Sequence, residues 1–361
     1  MPQLRIDNQT VHADQGSTLL EAAASVGIEI PTLCHVPGMP HYTSCMLCVV
    51  RETGSGHFIP ACSATVSEGM LIETNSEPVR DARRAALELL LSDHTGDCEG
   101  PCQRACPANI DIPRLIRRIQ ADDDNMERNP RSGNEDYPLN VCRDCIAKHS
   151  PPPCERACRR GQHDEAVAIA LLCQYAEAHL QDSGAEESQN RPAFNSAMGR
   201  IQDDEWPVLL ENVSDAHQTK PEAGTESGFT RDEAQGEAAR CMHCDCRKPA
   251  TCKLRLYAEE YGAKRAHFRT SSRRTFEHDL SHNAILFEQG KCIACGICTR
   301  ITERSVHAPG LCLSGRGMDT RISAPLGKTI AEGLCDADTA AACVEACPTG
   351  ALAWREGEDT A

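Results

Sequence analysis

Aromatic side chains are scarce: two Trp, five Tyr and six Phe make up only 4% of 361 residues. Few of the largest apolar groups means thin cores, so something besides apolar packing must help this chain fold. Long apolar runs are missing too. No stretch approaches the roughly 18 residues needed to span a bilayer. The start MPQLRIDNQTVHAD has no basic residues leading into an apolar core, so no secretory leader is expected. Nucleotide fingerprints are also lacking. No G-x-G-x-x-G follows a strand-like run and no P-loop occurs, while GSGH at 54–57 and GRGMD at 315–319 are too short to cradle a pyrophosphate. Positive charge is in deficit: 37 Lys and Arg against 53 Asp and Glu give a net charge of −16. That balance repels nucleic acid and anionic membrane surfaces. With no seat for flavin, pterin or dinucleotide, hydride chemistry is expected on other subunits.

What the chain has is cysteine, 23 of them. A cytoplasmic location is expected, where thiols stay reduced and clustered cysteines usually mean metal. Metal-site binding energy then becomes part of the folding energy.

The residue pattern predicts an α+β fold with five sections. Residues 4–13 read as two short strands around a turn at Asp7–Gln9, and Thr18 and Glu21 have capping-box spacing for a helix closed by Gly27. Strands are expected at 28–30, 49–52, 57–61 and 71–74, completing a β-grasp domain over 1–78. Pro78 opens the helical stretch RDARRAALELLLS, the start of a helical domain over 79–175. Residues 176–230 carry eleven acidic and three basic side chains without sustained periodicity, and read as a mostly extended linker with WPVLL as its one sticky point. A Cys-rich motif at 231–270 and a ferredoxin-like section at 271–361 complete the chain.

Thiolate is the natural ligand of iron in clusters, and four ligands complete a [2Fe–2S] or [4Fe–4S] site. Cys34, Cys45, Cys48 and Cys62 form the first set: a long loop, C-x2-C, then a hairpin returning a fourth thiolate. CMHCDCRKPATC gathers Cys241, Cys244, Cys246 and Cys252 within twelve residues, with His243 as an alternative ligand. Those four suit a [4Fe–4S] cluster, and a closed zinc site would use the same ligands.

The segments IPTLCHVPG, SCMLCVV, IPACSATVSEGM and DHTGDC resemble the N-terminal region of the large iron–sulfur subunit of respiratory complex I. Related domains occur in cytoplasmic formate dehydrogenases and iron hydrogenases. Over residues 1–98 the resemblance implies a [2Fe–2S] ferredoxin domain. PCQRACPANIDIPRLI and CRDCIAKHSPPPCERACRRGQHDEAVAI are similar to the helical domain of the glutamate synthase small subunit and of dihydropyrimidine dehydrogenase, which holds two [4Fe–4S] clusters with interleaved ligands. That similarity implies one cluster on Cys106, Cys145, Cys154 and Cys158, and another on Cys98 and Cys102. The family's usual first cysteine is missing, and a histidine at the position of His94 is a ligand in the complex I pattern. Alignment of AVAIALLC places Cys173 at the remaining ligand position. The implied set is His94, Cys98, Cys102 and Cys173. KCIACGICTRIT with CVEACPTG resembles a bacterial-type ferredoxin, implying a cluster on Cys292, Cys295, Cys298 and Cys347. Its reciprocal cluster is expected to be lost, since Thr302, Ala337 and Ala340 stand where cysteines belong. Cys142, Cys312, Cys335 and Cys343 are left as small buried residues.

The expected inventory is one [2Fe–2S] and three to four [4Fe–4S] clusters, with zinc as the alternative at Cys241–Cys252. The expected role is electron transfer within a soluble oxidoreductase complex. The expected partners are a flavin-bearing, NAD(P)H-reactive subunit and a molybdopterin formate dehydrogenase-type or hydrogenase catalytic subunit. Two other readings stay open: a catalytic glutamate synthase-like small subunit, and an iron–sulfur redox sensor.

Overall fold

A computed structural model describes residues 1–40, 42–121, 139–179, 192–268, 273–305 and 309–355. The first strands, β1 (Gln3–Ile6) and β2 (Gln9–His12), pair antiparallel across Asp7 and Asn8. Both turn residues are left-handed, with φ of 45° and 69°, the twist a tight hairpin requires. Thr18 and Glu21 close a reciprocal capping box at the start of α1 (Leu19–Ser25). β3 (Val49–Glu52), β4 (Phe58–Pro60) and β5 (Leu71–Glu73) complete a five-stranded sheet in the order β2-β1-β5-β3-β4, with β1 and β5 parallel. Leu4, Ile6, Val11, Leu19, Ala23, Val50 and Ile72 fill the space between α1 and the sheet. The strand expected at 28–30 does not form. The amide of Ile28 turns back to the Ala23 carbonyl at 3.0 Å, closing the helix after Gly27.

Helix α2 (Glu77–Ser92) buries Val79, Arg83, Leu87 and Leu91, one stripe at four-residue steps. Arg83 donates to the Val49 carbonyl (2.9 Å) on one side and the Tyr261 hydroxyl (3.1 Å) on the other, so α2 ties the sheet to the segment around Tyr261. Short helices then alternate with loops: α3 (Pro101–Ala105), α4 (Ile112–Gln120), α5 (Leu139–Lys148), α6 (Pro153–Arg156) and α7 (Ile169–His179). Ile112, Leu115, Ile116, Ile119, Leu172 and Ala176 pack with Ala234 and Ala238 of a later helix.

Residues 192–230 are poor in regular structure but are not a free linker; 180–191 lie outside the described residues. WPVLL supplies α8 (Trp206–Leu209), and Met198, Ile201 and Leu209 pack with Met242 and Phe276. Glu205 is fully buried and paired with Arg273. Acidic residues counted as linker are therefore partly committed to internal ion pairs.

α9 (Arg231–Ala238) and α10 (Lys253–Glu260) flank the third cysteine cluster. The last section has β6 (His278–Asp279), β7 (Ile285–Glu288), α11 (Ile297–Thr302), β8 (Cys312–Ser314), β9 (Arg321–Ser323), α12 (Ile330–Gly333), α13 (Ala337–Ala346) and β10 (Leu352–Trp354). Its sheets run β10-β7-β6 and β8-β9. Among the described residues no helix is long and apolar enough to cross a membrane.

Candidate metal centres

The thiols gather in five places. In the sheet site, Cys34 and Cys45 hydrogen-bond to one another, as do Cys48 and Cys62, and Cys45 lies within electrostatic reach of Cys48. All four are buried. The bond from Cys45 holds Cys34 down to about 5, while Cys45 and Cys48 are pushed up by their thiol neighbours and by burial.

In the tail site, Cys292, Cys295, Cys298 and Cys347 interact mutually. Cys343 is fully buried, with its thiol directed to the Cys298 carbonyl at 3.7 Å. Around Cys343, Leu311, Ile330, Leu334 and Ala340 form a packed core. Thr302 is spoken for: its hydroxyl donates to the Thr299 carbonyl (3.0 Å) and accepts from the Leu311 amide (2.9 Å).

The middle of the chain sorts its cysteines differently from the sets implied by resemblance. Cys102 faces Cys241, Cys244 and Cys158, which also face one another; these four make the middle site. Cys158 is thus apart from the set with Cys106, Cys145 and Cys154. Cys106, Cys142, Cys145, Cys154 and Cys173 line one cavity, the far site, in which Cys142 and Cys173 are hydrogen-bonded. Cys173 is therefore brought to Cys106 and not to His94, and Cys142 is not an isolated packing residue. Cys98 faces Cys246 and Cys252, the histidine site. His94, Cys98 and Cys246 all lie within reach of the Lys291 ammonium.

Cys241, Cys244, Cys246 and Cys252 are accordingly not one set. The first two look toward Cys102 and the last two toward Cys98. Among the described residues no three His, Cys, Asp or Glu side chains form a ready-made site for a single metal ion.

Several features fit a cluster better than bare thiols. Burial pushes Cys98 up to about 11, and Cys154, Cys244, Cys252 and Cys292 up to about 12. A coordinating metal reverses that cost, because a bound thiol is deprotonated outright. Amides already aim at sulfur: His243 to Cys241 and Ala294 to Cys292, both at 3.4 Å, and Ser196 to Cys98 at 3.3 Å. His243 and Ala294 occupy the same place in their C-x2-C loops and share a left-handed backbone, φ 46° and 50°. A Cβ on Gly350 would stand 2.1 Å from the Cys246 sulfur, so only glycine leaves that thiol its room. The His94 ring is buried and held neutral, down to about 3, by burial and by Lys291 and Arg265, and its Nδ1 has no hydrogen-bond partner. His243 is engaged through Nε2 with Gln120 at 2.8 Å.

Each of the five sites is tied to the next. Arg300 donates to the carbonyls of Cys34 (2.8 Å) and Cys295 (3.2 Å), joining sheet site to tail site. Cys252 lies within reach of Cys347, and Lys248 donates to the Cys347 carbonyl at 3.1 Å, joining tail site to histidine site. Cys98 and Cys102, and again Cys244 and Cys246, join histidine site to middle site. Cys102 on α3 with Cys106 just after it, and Cys154 on α6 with Cys158 two residues past its end, join middle site to far site.

Comparison with known proteins bears on the same residues. Residues 2–77 match the 2Fe-2S iron-sulfur cluster binding domain, and residues 80–185 match the 4Fe-4S cluster domain described as dihydropyrimidine dehydrogenase domain II. The chain is an iron–sulfur protein. It is 38% identical over 98 residues to a subunit of the NADH-quinone oxidoreductase of Rhizobium meliloti (strain 1021), covering 27% of this chain and 12% of that one. It is 42% identical over 103 residues to the HndD subunit of the NADP-reducing hydrogenase of Solidesulfovibrio fructosivorans, 27% and 18% of the two chains. With the gamma subunit of the NAD-reducing hydrogenase HoxS of Cupriavidus necator the figures are 34% over 106 residues, 28% and 44%. The iron–sulfur protein thus spans less than half the length of these relatives. A chain in the crystal structure of NAD+-reducing [NiFe]-hydrogenase in the H2-reduced state shares its fold. It matches with a TM-score of 0.51 and 17% identity, over 98% of this chain and 87% of that one.

Proposed function

We propose that this iron–sulfur protein is a relay subunit that holds five clusters in a row and passes electrons between a flavin-bearing, NAD(P)H-reactive subunit and a hydrogenase or molybdopterin formate dehydrogenase-type subunit. Cys34, Cys45, Cys48 and Cys62 hold a [2Fe–2S] cluster. Four [4Fe–4S] clusters fall to the tail site, the histidine site (His94, Cys98, Cys246, Cys252), the middle site and the far site, where Cys106, Cys142, Cys145, Cys154 and Cys173 offer five thiols. Bound clusters supply one-electron chemistry. The protein's own part is to fix their spacing, exclude water and direct amides and cations at sulfur.

The observation that carries this reading is the continuity of the links between sites: each thiol set shares a peptide segment, an arginine or a thiol contact with the next. The relatives are named as subunits of NADH- and NAD(P)-linked complexes, which supports the choice of partners. Anaerobically purified protein is expected to hold about eighteen irons per chain with matching sulfide. Fewer than about ten irons would sink the five-cluster reading. The isolated chain is expected to reduce no NAD(P)+ and oxidise no NAD(P)H. Turnover by the flavin-free chain would reject the relay role in favour of catalysis.

A further inference from the structure

One buried cation faces the histidine site from the chain of the tail site. Lys291 is 2% exposed and immediately precedes Cys292. Its ammonium pairs with Glu288, itself buried. The same ammonium lies within electrostatic reach of Cys246, Cys98 and His94. The fold makes room for it. A Cβ on Gly96 would come within 2.6 Å of the lysine Cε, and one on Gly290 within 2.8 Å of Thr95, which flanks Gly96. The Lys291 carbonyl is fixed by the Thr349 hydroxyl at 2.9 Å. A cation this costly to bury, with Gly96 leaving room for its side chain, is placed for its field.

We propose that Lys291 sets the reduction potential of the cluster at His94, Cys98, Cys246 and Cys252, with Glu288 as the opposing charge that trims its effect. The inference rests on the proposed ligand set at that site. Each added electron makes a thiolate-ligated cluster more negative, so a fixed positive charge beside it favours the reduced form, and net charge is one of the established determinants of cluster potential. In low dielectric that effect is larger than in water. Glu288 acts with the opposite sign, since it also lies within reach of Cys246.

The test is a potentiometric titration of the full anaerobic chain, read by electron paramagnetic resonance, on Lys291→Met, Lys291→Arg and Glu288→Gln. One [4Fe–4S] signal is expected to move to lower potential in Lys291→Met and to higher potential in Glu288→Gln. Lys291→Arg should stay near the wild type, and the other signals should hold still. Opposite signs from two substitutions that each remove one charge are not expected of a merely structural pair. If both variants keep their iron and no midpoint moves, or if both move the same way, the inference is overturned. Should Lys291→Met fail to fold, Glu288→Gln and Lys291→Arg decide by the same signs: an unmoved midpoint in Glu288→Gln overturns it. Cys246→Ala separates the two readings. Full cluster retention there rejects the ligand set, whereas loss of one cluster with unmoved midpoints in the charge variants rejects only the role of Lys291.

Discussion

Cys158 stands four residues after Cys154, just past the end of α6, yet the two thiols serve different neighbours. Burial, the Glu155 charge and the neighbouring Cys142 and Cys106 raise Cys154, while Cys158 acts on Cys102, Cys241 and Cys244. Cys158→Ala is therefore expected to remove the same cluster signal as Cys241→Ala, and to leave the signal lost in Cys106→Ala. Cluster-by-cluster spectra of the three variants check this, and a shared loss between Cys158→Ala and Cys106→Ala would restore the set implied by family resemblance. The sheet-site cysteines were readable from the sequence because a hairpin returns Cys62 to a loop carrying the other three. The tail-site cysteines were readable from their ferredoxin-like motif. The middle cysteines were not, for a physical reason: spacing constrains a loop but not the direction each thiol takes. Between Cys244 and Cys246 stands only Asp245, which is gripped by Arg117 through two 2.9 Å bonds and by Arg247. That grip turns the chain so that successive cysteines look to opposite sides.

At the scale of elements, α9 shows how thin cores are reinforced. Glu237 and Arg240 are both fully buried and paired at 3.0 Å. Glu237 also accepts the amides of Ala168 and Thr219, each at 2.7 Å, and Arg240 donates to the carbonyls of Ala166, Glu165 and Ala216. The last turn of α9 and the residues just after it thus clasp the loop before α7 and the segment around 216–219. Glu237→Ala leaves the buried Arg240 with only the more distant carboxylate of Asp164, at 3.5 Å, and strands the Ala168 and Thr219 amides, a change that costs about 3–5 kcal/mol. Denaturant unfolding of the holoprotein should show a loss of that size, and a change below about 1 kcal/mol, the range of exposed pairs, would mean the pair is not buried in solution. The capping box of Thr18 with Glu21 and the helical stretch after Pro78 made α1 and α2 legible in the sequence. The packing of 192–230 was not legible. Its anchors are single residues, such as Glu205 and Met198, whose partners Arg273 and Met242 lie far along the chain.

Taken whole, the molecule carries an excess of negative charge but buries cations beside its thiols. Its net charge is −16, yet Arg159, Arg247, Lys248, Arg255, Lys291 and Arg300 are all buried around the thiol sets. Arg159, Arg247, Arg255 and Lys291 pair with carboxylates, and thiolates on iron add the negative charge that is lost when iron is removed. The N-terminal sheet differs, since its core of Leu4, Ile6, Val11, Leu19 and Ile72 depends less on metal. Treatment with an iron chelator under reducing conditions is expected to expose residues from about 98 onward to protease, while the sheet survives longer as a fragment. Hydrogen exchange that rises evenly across both parts would contradict that division.

Cys98, Cys102 and Cys106, four residues apart, look into three successive sites. A peptide that feeds three neighbours cannot take its final shape for one of them alone. During maturation, seating the first cluster prepares ligands for the next, so empty and full chains should outnumber half-filled ones. Oxidative damage inherits the same logic in reverse: losing one cluster frees a segment that its neighbours need, and the injury spreads along the row instead of remaining where it began.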